Sequence, residues 1–153
     1  MSENQGIDPL GLGLDLSTVD TSRPVLPESL YVLEVGNVEV ANKKDDDTKR
    51  NLVITFKTTV DSPDATGERI ISAGFQITKY YPLQQSDKEK APDYRRDLAV
   101  LQDAMEGTKQ GERPPFNPFN YIGRQVLAKV KIKPATDDFG AGNEIAKLQP
   151  VTA

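Results

Sequence analysis

Between Tyr121 and Lys133 the chain places four bases, Arg124, Lys129, Lys131 and Lys133, and no acid. Side chains two apart on a strand project together, so Lys129, Lys131 and Lys133 form one charged face that could meet successive phosphates. Arg124, beside Gly123, extends that strip. The plain alternative is that an exposed strand face carries lysine to stay soluble and to guard an edge. Phosphate contact is only half of what a nucleic acid offers; its bases stack on aromatic rings for about 1–3 kcal/mol each. Of the ten aromatic residues, Phe56, Phe75 and Tyr94 fall on apolar faces and read as core. Tyr80, Tyr81, Phe116, Phe119 and Tyr121 are the better stacking candidates. Adjacent Tyr80 and Tyr81 face opposite sides of a strand, so at most one of them is core. Phe116 and Phe119 lie in a Pro-rich loop whose packing is the competing explanation. Lys43, Lys44, Lys49 and Arg50 flank a predicted hairpin tip and could close over a bound strand, an argument weakened by Asp45, Asp46 and Asp47 between them.

Other chemistry is excluded by composition. The chain has neither Cys nor His, which removes disulfides, thiol nucleophiles, Ser-His-Asp triads and the usual zinc sites. Asp45-Asp46-Asp47 and Asp137-Asp138 invite a metal, but consecutive carboxylates diverge and neither run has the ligand spacing of a calcium loop, so both read as solvated turns. Gly11-Leu12-Gly13 lacks the third glycine and preceding strand of a dinucleotide fingerprint. The reading is therefore of a non-enzyme with no cofactor and no metal.

A formal net charge of −4 argues against a nucleic-acid partner until its distribution is considered. Five acids (Glu3, Asp8, Asp15, Asp20 and Glu28) stand against Arg23 alone in the first 30 residues, and the remaining 18 acids and 18 bases balance. The excess is confined to the N-terminal segment. Hydrophobic content of 37% with mean hydropathy of −0.52 supplies a modest core and no membrane span. No export signal opens the sequence, which makes a cytoplasmic address the expectation.

The elements that position these residues follow from periodicity. At 153 residues one domain is expected, divided into an extended acidic arm over 1–27 and a β domain over 28–153. Glycines and prolines break up the arm, but Leu10, Leu12, Leu14 and Leu16 alternate, enough to dock an extended segment on the domain or on a neighbouring subunit. Alternation from Leu30 through Val40 predicts a first strand, with Gly36 as a bulge. The polar run 43–50 reads as a loop. Leu52, Ile54 and Phe56 mark a second strand, and residues 68–81 a long third one with Ile71, Ala73, Phe75 and Ile77 inward and Gly74 as a bend. Tyr94, Leu98, Leu101 and Met105 recur at helical spacing after Pro92 and Asp93, with Gly107 as the stop. The strand 121–133 has Val126, Ala128, Val130 and Ile132 on its apolar face, and 144–149 is a last short strand. Three strands, a helix and two strands give the element order of a mainly β, five-stranded oligonucleotide/oligosaccharide-binding (OB) barrel.

Several pieces of this order resemble a known family. They are Leu26-Pro27-Glu28-Ser29-Leu30-Tyr31, Arg95-Arg96-Asp97-Leu98 through Met105-Glu106-Gly107, Tyr121-Ile122-Gly123-Arg124-Gln125-Val126, and Asn143-Glu144-Ile145 before Leu148-Gln149-Pro150. Together they resemble the bacteriophage OB-fold single-stranded-DNA-binding proteins over roughly four-fifths of the chain. The resemblance implies non-catalytic coating of single-stranded DNA in phage replication or recombination, in the host cytoplasm. The chain departs from replicative proteins of this kind in having no acid after Glu144. The alternative expectation is a structural virion or assembly protein whose arm makes the subunit contacts.

Overall fold

The computed structural model describes residues 11–18, 23–44, 46–136 and 140–151, with the backbone alone for Asp46 and Asp47. Apolar residues at alternate positions build seven strands among these residues, and the helical periodicity builds one α-helix: β1 Ser29–Lys43, β2 Asp46–Thr58, β3 Ser62–Pro63, β4 Ile70–Ile71, β5 Gln76–Pro82, α1 Arg95–Glu106, β6 Gln125–Lys133 and β7 Gly142–Gln149. Five of the strands form an antiparallel sheet in the order β5-β2-β1-β6-β7, and β3 pairs with β4 apart from it. The edge strands β5 and β7 approach each other but share no ladder. The expected closed five-stranded barrel is therefore corrected to an open five-stranded sheet with a separate two-stranded ribbon. Asp45 and the pair Asp137-Asp138, weighed above as metal ligands, lie outside the described residues.

β1 organises the sheet because it is long enough to serve two partners. Its first half, Ser29–Glu34, pairs with β6, and Leu33–Lys43 pairs with β2. The register slips between Val35 and Asn37, the bulge expected at Gly36. There Val35 donates to the Arg124 carbonyl (2.9 Å) and accepts from the Gly123 N–H (2.8 Å), so the chain entering β6 is fixed against the bulge. The slip keeps Leu33, Val35 and Val38 all on the buried side despite the odd-to-even change in number.

One face of the sheet is the core. Leu52, Ile54 and Phe56 of β2, Ile77 and Tyr81 of β5, Val126, Ala128 and Val130 of β6, and Ile145 and Leu148 of β7 are all buried on it, under Leu101, Ala104 and Met105 of α1. Leu26 joins them at 0% exposure. Its N–H donates to Asn143 Oδ1 (2.8 Å) and its carbonyl accepts from Asn143 Nδ2 (3.0 Å). The end of the arm is thus built into the domain, and burying a leucine contributes about 1.5–3 kcal/mol. Residues 11–18 differ from the expected extended docking on the chain's own domain. Gly11 and Gly13 hold left-handed conformations (φ 64° and 63°), and Leu12, Leu14 and Leu16 are 61–68% exposed. Leu10 lies outside the described residues.

Two expected elements are redrawn. The segment 68–81 is not one strand: Gly74 takes φ 96° and its N–H turns to the Thr58 carbonyl, which separates Ile70–Ile71 from Gln76–Pro82 and leaves Ala73 exposed. The polar run 43–50 is mostly strand, because the β1–β2 ladder continues through backbone pairing without an apolar residue. Helix α1 follows its pattern, with Leu98 packed against the core and Gly107 (φ 68°) donating to the Asp103 carbonyl at 2.8 Å. Buried Gln102 donates to the Pro114 carbonyl at 2.8 Å, which straps the Pro-rich loop to the helix. That loop ends in a single 3-10 turn, Pro118–Tyr121, so β6 starts at Gln125 rather than at Tyr121.

Candidate nucleic-acid interface

The sheet face opposite the core carries the candidate residues, and its composition follows from register. Directly opposed residues on antiparallel neighbours share a face. Lys129, Lys131 and Lys133 alternate with buried Val126, Ala128 and Val130 and are all exposed. Lys129 is opposed by Leu30 of β1 on one side and by Lys147 of β7 on the other. Two ammonium groups directly opposed are unfavourable by a few tenths of a kcal/mol up to about 1 kcal/mol. Lys131 is opposed by Glu144, which offsets its charge in part. Lys133 ends the ladder at the β6–β7 connection. Sequence reasoning missed Lys147, because only the register reveals which residue of β7 meets Lys129.

The same face continues across the sheet. Gln125, Glu34, Lys57 and Gln76 form one transverse row, in which Lys57 Nζ is 3.2 Å from Glu34 Oε2. This pairing cancels the one carboxylate in the row. A shallow depression of about 310 Å³ opens here, with Lys57, Thr59 and Gln125 among its walls. Farther along lie Thr55 opposite Thr78, then Val53 opposite Tyr80. The Tyr80 ring is 62% exposed. On β1 the row of Tyr80 reaches Glu39 and the row of Lys129 reaches Leu30, a separation of about 30 Å at roughly 3.3 Å per residue. The ring and the lysine ladder therefore lie at two ends of a diagonal path on one face.

The remaining candidates divide by burial. Tyr81 and Tyr121 are each 1% exposed, so the expectation that they stack on bases meets two buried rings. Tyr81 has the same parity as Ile77 and faces the core with it; Tyr80 faces out for the same reason. Burial pushes the Tyr81 phenol well above its usual range. Tyr121 donates to Glu106 Oε2 at 2.6 Å, and burial followed by that carboxylate raises its phenol likewise. Phe116 packs edge-on against Tyr121 at 6.2 Å, and the Arg124 guanidinium lies 5.9 Å from the same ring. Phe119 is 51% exposed and stands in the 3-10 turn that leads to the β1 bulge. Lys43, Lys44 and Arg50 are exposed and Lys49 half-buried at the β1–β2 hairpin. This hairpin extends β1 and β2 beyond the row of Tyr80, so its bases stand at the aromatic end of the face.

Among the described residues no group of three or more carboxylates could hold a metal ion. Among the described residues no helix is long and apolar enough to cross a membrane. No protein-family model matches the chain, and no curated protein is significantly similar to it.

Proposed function

We propose that the protein binds single-stranded DNA along the outward face of its sheet, with little regard to sequence, and coats and protects the strand without chemistry of its own. The observation that carries this reading is the ladder of Lys129, Lys131 and Lys133 with Lys147 set directly opposite Lys129. Like charges held face to face are relieved when an anion lies between them, and a phosphate backbone supplies a row of anions. Tyr80 and Phe119 are the rings available for stacking, and Arg124 extends the charge beside the β1 bulge.

The finer fold reading supports the same assignment. A partly open, five-stranded Greek-key barrel of the OB type binds oligonucleotides on its second and third strands and on its first and last hairpin loops. Taking β1, β2, β5, β6 and β7 as those five strands, the contact regions become the β2–β5 face with Tyr80, the β1–β2 hairpin with Lys43, Lys44, Lys49 and Arg50, and the β6–β7 connection that begins at Lys133. The likeness to phage single-stranded-DNA-binding proteins agrees with this reading, and on it the protein would work in phage replication or recombination in the host cytoplasm.

Fluorescence anisotropy of a labelled oligo(dT) beside a matched duplex tests the proposal. Binding of the single strand at low salt, with the duplex bound at least tenfold more weakly, is expected. No binding of either at low salt would remove the reading and favour the assembly role, for which the exposed leucines of the arm are the supporting observation.

A further inference from the structure

The two edges of the sheet face each other across a seam that holds a cavity toward each end. At the β5 start, the chain's own arm enters it and borders a cavity of about 210 Å³: the Arg23 guanidinium lies 4.6 Å from the Phe75 ring centroid and donates to the Gln76 carbonyl at 3.0 Å, while Leu26 is held by Asn143 at the start of β7. Farther along, where Lys79 and Tyr81 of β5 run beside Ile145–Leu148 of β7, a cavity of about 70 Å³ remains. Tyr81, Val100 and Leu148 give it apolar walls, and Lys79, Lys147 and Asp97 border it. Val100 is 45% exposed on the outer side of α1. The Tyr81 hydroxyl is fully buried and has no hydrogen-bond partner among the described residues, a condition that costs free energy until an acceptor reaches it.

The chain also carries a segment whose leucines are exposed among the described residues. Leu12, Leu14 and Leu16 are 61–68% exposed, and Asp15 stands between the last two. A Leu-Asp-Leu sequence matches the part of the seam beside Tyr81 in kind: a leucine for the apolar walls, a carboxylate for Lys79 and Lys147, and backbone carbonyls for the Tyr81 hydroxyl. In the single chain the leucines of this segment are exposed, while residues 23–26 enter the far end of the seam.

We propose that the Leu12–Leu16 segment of one copy seats in the β5/β7 seam of a second copy, between Tyr81 and Lys147. The seam is then an interface for a second copy of this chain, and the arm is an interaction element that extends along the groove its own root already enters. This mode resembles the docking of an extended peptide against a sheet edge, where backbone bonds supply affinity and side-chain pockets supply selectivity. The inference goes beyond nucleic-acid binding and stands without it.

The natural absence of cysteine makes the test direct. Full-length Leu14→Cys and Ala146→Cys variants, each shown to be folded by circular dichroism, are mixed and oxidised without nucleic acid, since Lys147 also borders the lysine ladder. Val60→Cys, on an exposed residue away from the seam, measures random collision. A mixed disulfide joining the Leu14→Cys and Ala146→Cys chains, at least tenfold above the Val60→Cys reference, is expected, together with a concentration-dependent dimer or larger species in light scattering of the unaltered chain. Lys147→Glu and Leu14→Asp should each weaken that association at least tenfold. A monomer at 200 µM (on the order of the highest working concentration) would overturn the proposal. So would a mixed disulfide no more frequent than collision, or a variant carrying both cysteines that closes within one chain.

Discussion

Replacing Tyr121 with phenylalanine separates a core role for this residue from a stacking role. The ring is 1% exposed, and its hydroxyl donates to Glu106 Oε2 at 2.6 Å. Tyr121→Phe keeps the ring, the edge contact with Phe116 and the approach of Arg124, and removes only this bond. A hydrogen bond to a charged group contributes about 1.5–3 kcal/mol. Glu106 is half-buried, so water recovers part of its solvation and a loss of about 1.5–2 kcal/mol is expected. At roughly 2–4 °C per kcal/mol for a chain of this size, Tm should fall by about 3–8 °C. The pH dependence has a definite sign. The folded phenol titrates above its unfolded value, so the stability it confers is complete below about pH 10 and is lost as pH rises further. Tyr121→Phe should flatten that alkaline loss. Thermal unfolding followed by circular dichroism from about pH 7 to 11, spanning the ordinary phenol range, with oligo(dT) anisotropy well below Tm, measures both effects. Unchanged Tm would refute the hydrogen-bond argument; a folded Tyr121→Ala with wild-type stability and lost DNA affinity would refute the assignment to the core.

Three further outcomes are expected. Tyr80→Ala should leave Tm within about 1 °C, because the ring is exposed, and weaken oligo(dT) binding by about 5- to 150-fold, the equivalent of one stacked base at about 1–3 kcal/mol. Leu26→Ala should destabilise the domain by about 2–5 kcal/mol in urea titrations; a negligible change would show that the arm root is not part of the core. Asp103 is bound by Arg113 at 2.8 Å and by Thr108 at 2.8 Å, and chiefly the Arg113 bonds hold its carboxyl below the usual range. Asp64 is lowered too, first by Thr66. Their folded values lie below the unfolded ones, so the stability they confer is present above about pH 4 and lost as pH falls further. Asp103→Asn should make the acid limb of a Tm-against-pH curve shallower, and an unaltered limb would count against the pairing.

How far the fold was legible depended on whether a pattern had one physical source. Helix α1 was clear because the spacing of Leu98, Leu101 and Met105, the proline before it and the glycine after it all point to one element. The β6 face was clear for the same reason, since lysine and aliphatic residues alternate without exception from Ala128 to Lys133. Gly74 was legible as a bend but not as a break, because Ile71, Ala73, Phe75 and Ile77 keep a period of two through a turn that glycine's positive φ permits. The two tyrosines show a different limit. Tyr81 could be placed by its parity with Ile77, but Tyr121 precedes β6 in a 3-10 turn, where no strand period applies. Lys147 and the separation of Tyr80 from the lysine ladder depend on register, which no single strand encodes. Closure of the barrel was likewise invisible, because it depends on whether β5 and β7 form a ladder across a seam far apart in sequence.

The salt dependence of oligo(dT) binding tests the lysine ladder most directly. Each phosphate contact on a single strand contributes about −0.7 to the slope of log affinity against log salt. Lys129, Lys131, Lys133 and Lys147 together predict a slope at least as steep as about −2.8, a loss of about 50-fold between roughly 50 and 200 mM salt. Replacing Lys129, Lys131 and Lys133 together with alanine should make the slope shallower by about 2 while the protein stays folded. A slope the same in the triple variant as in the unaltered protein would contradict the account.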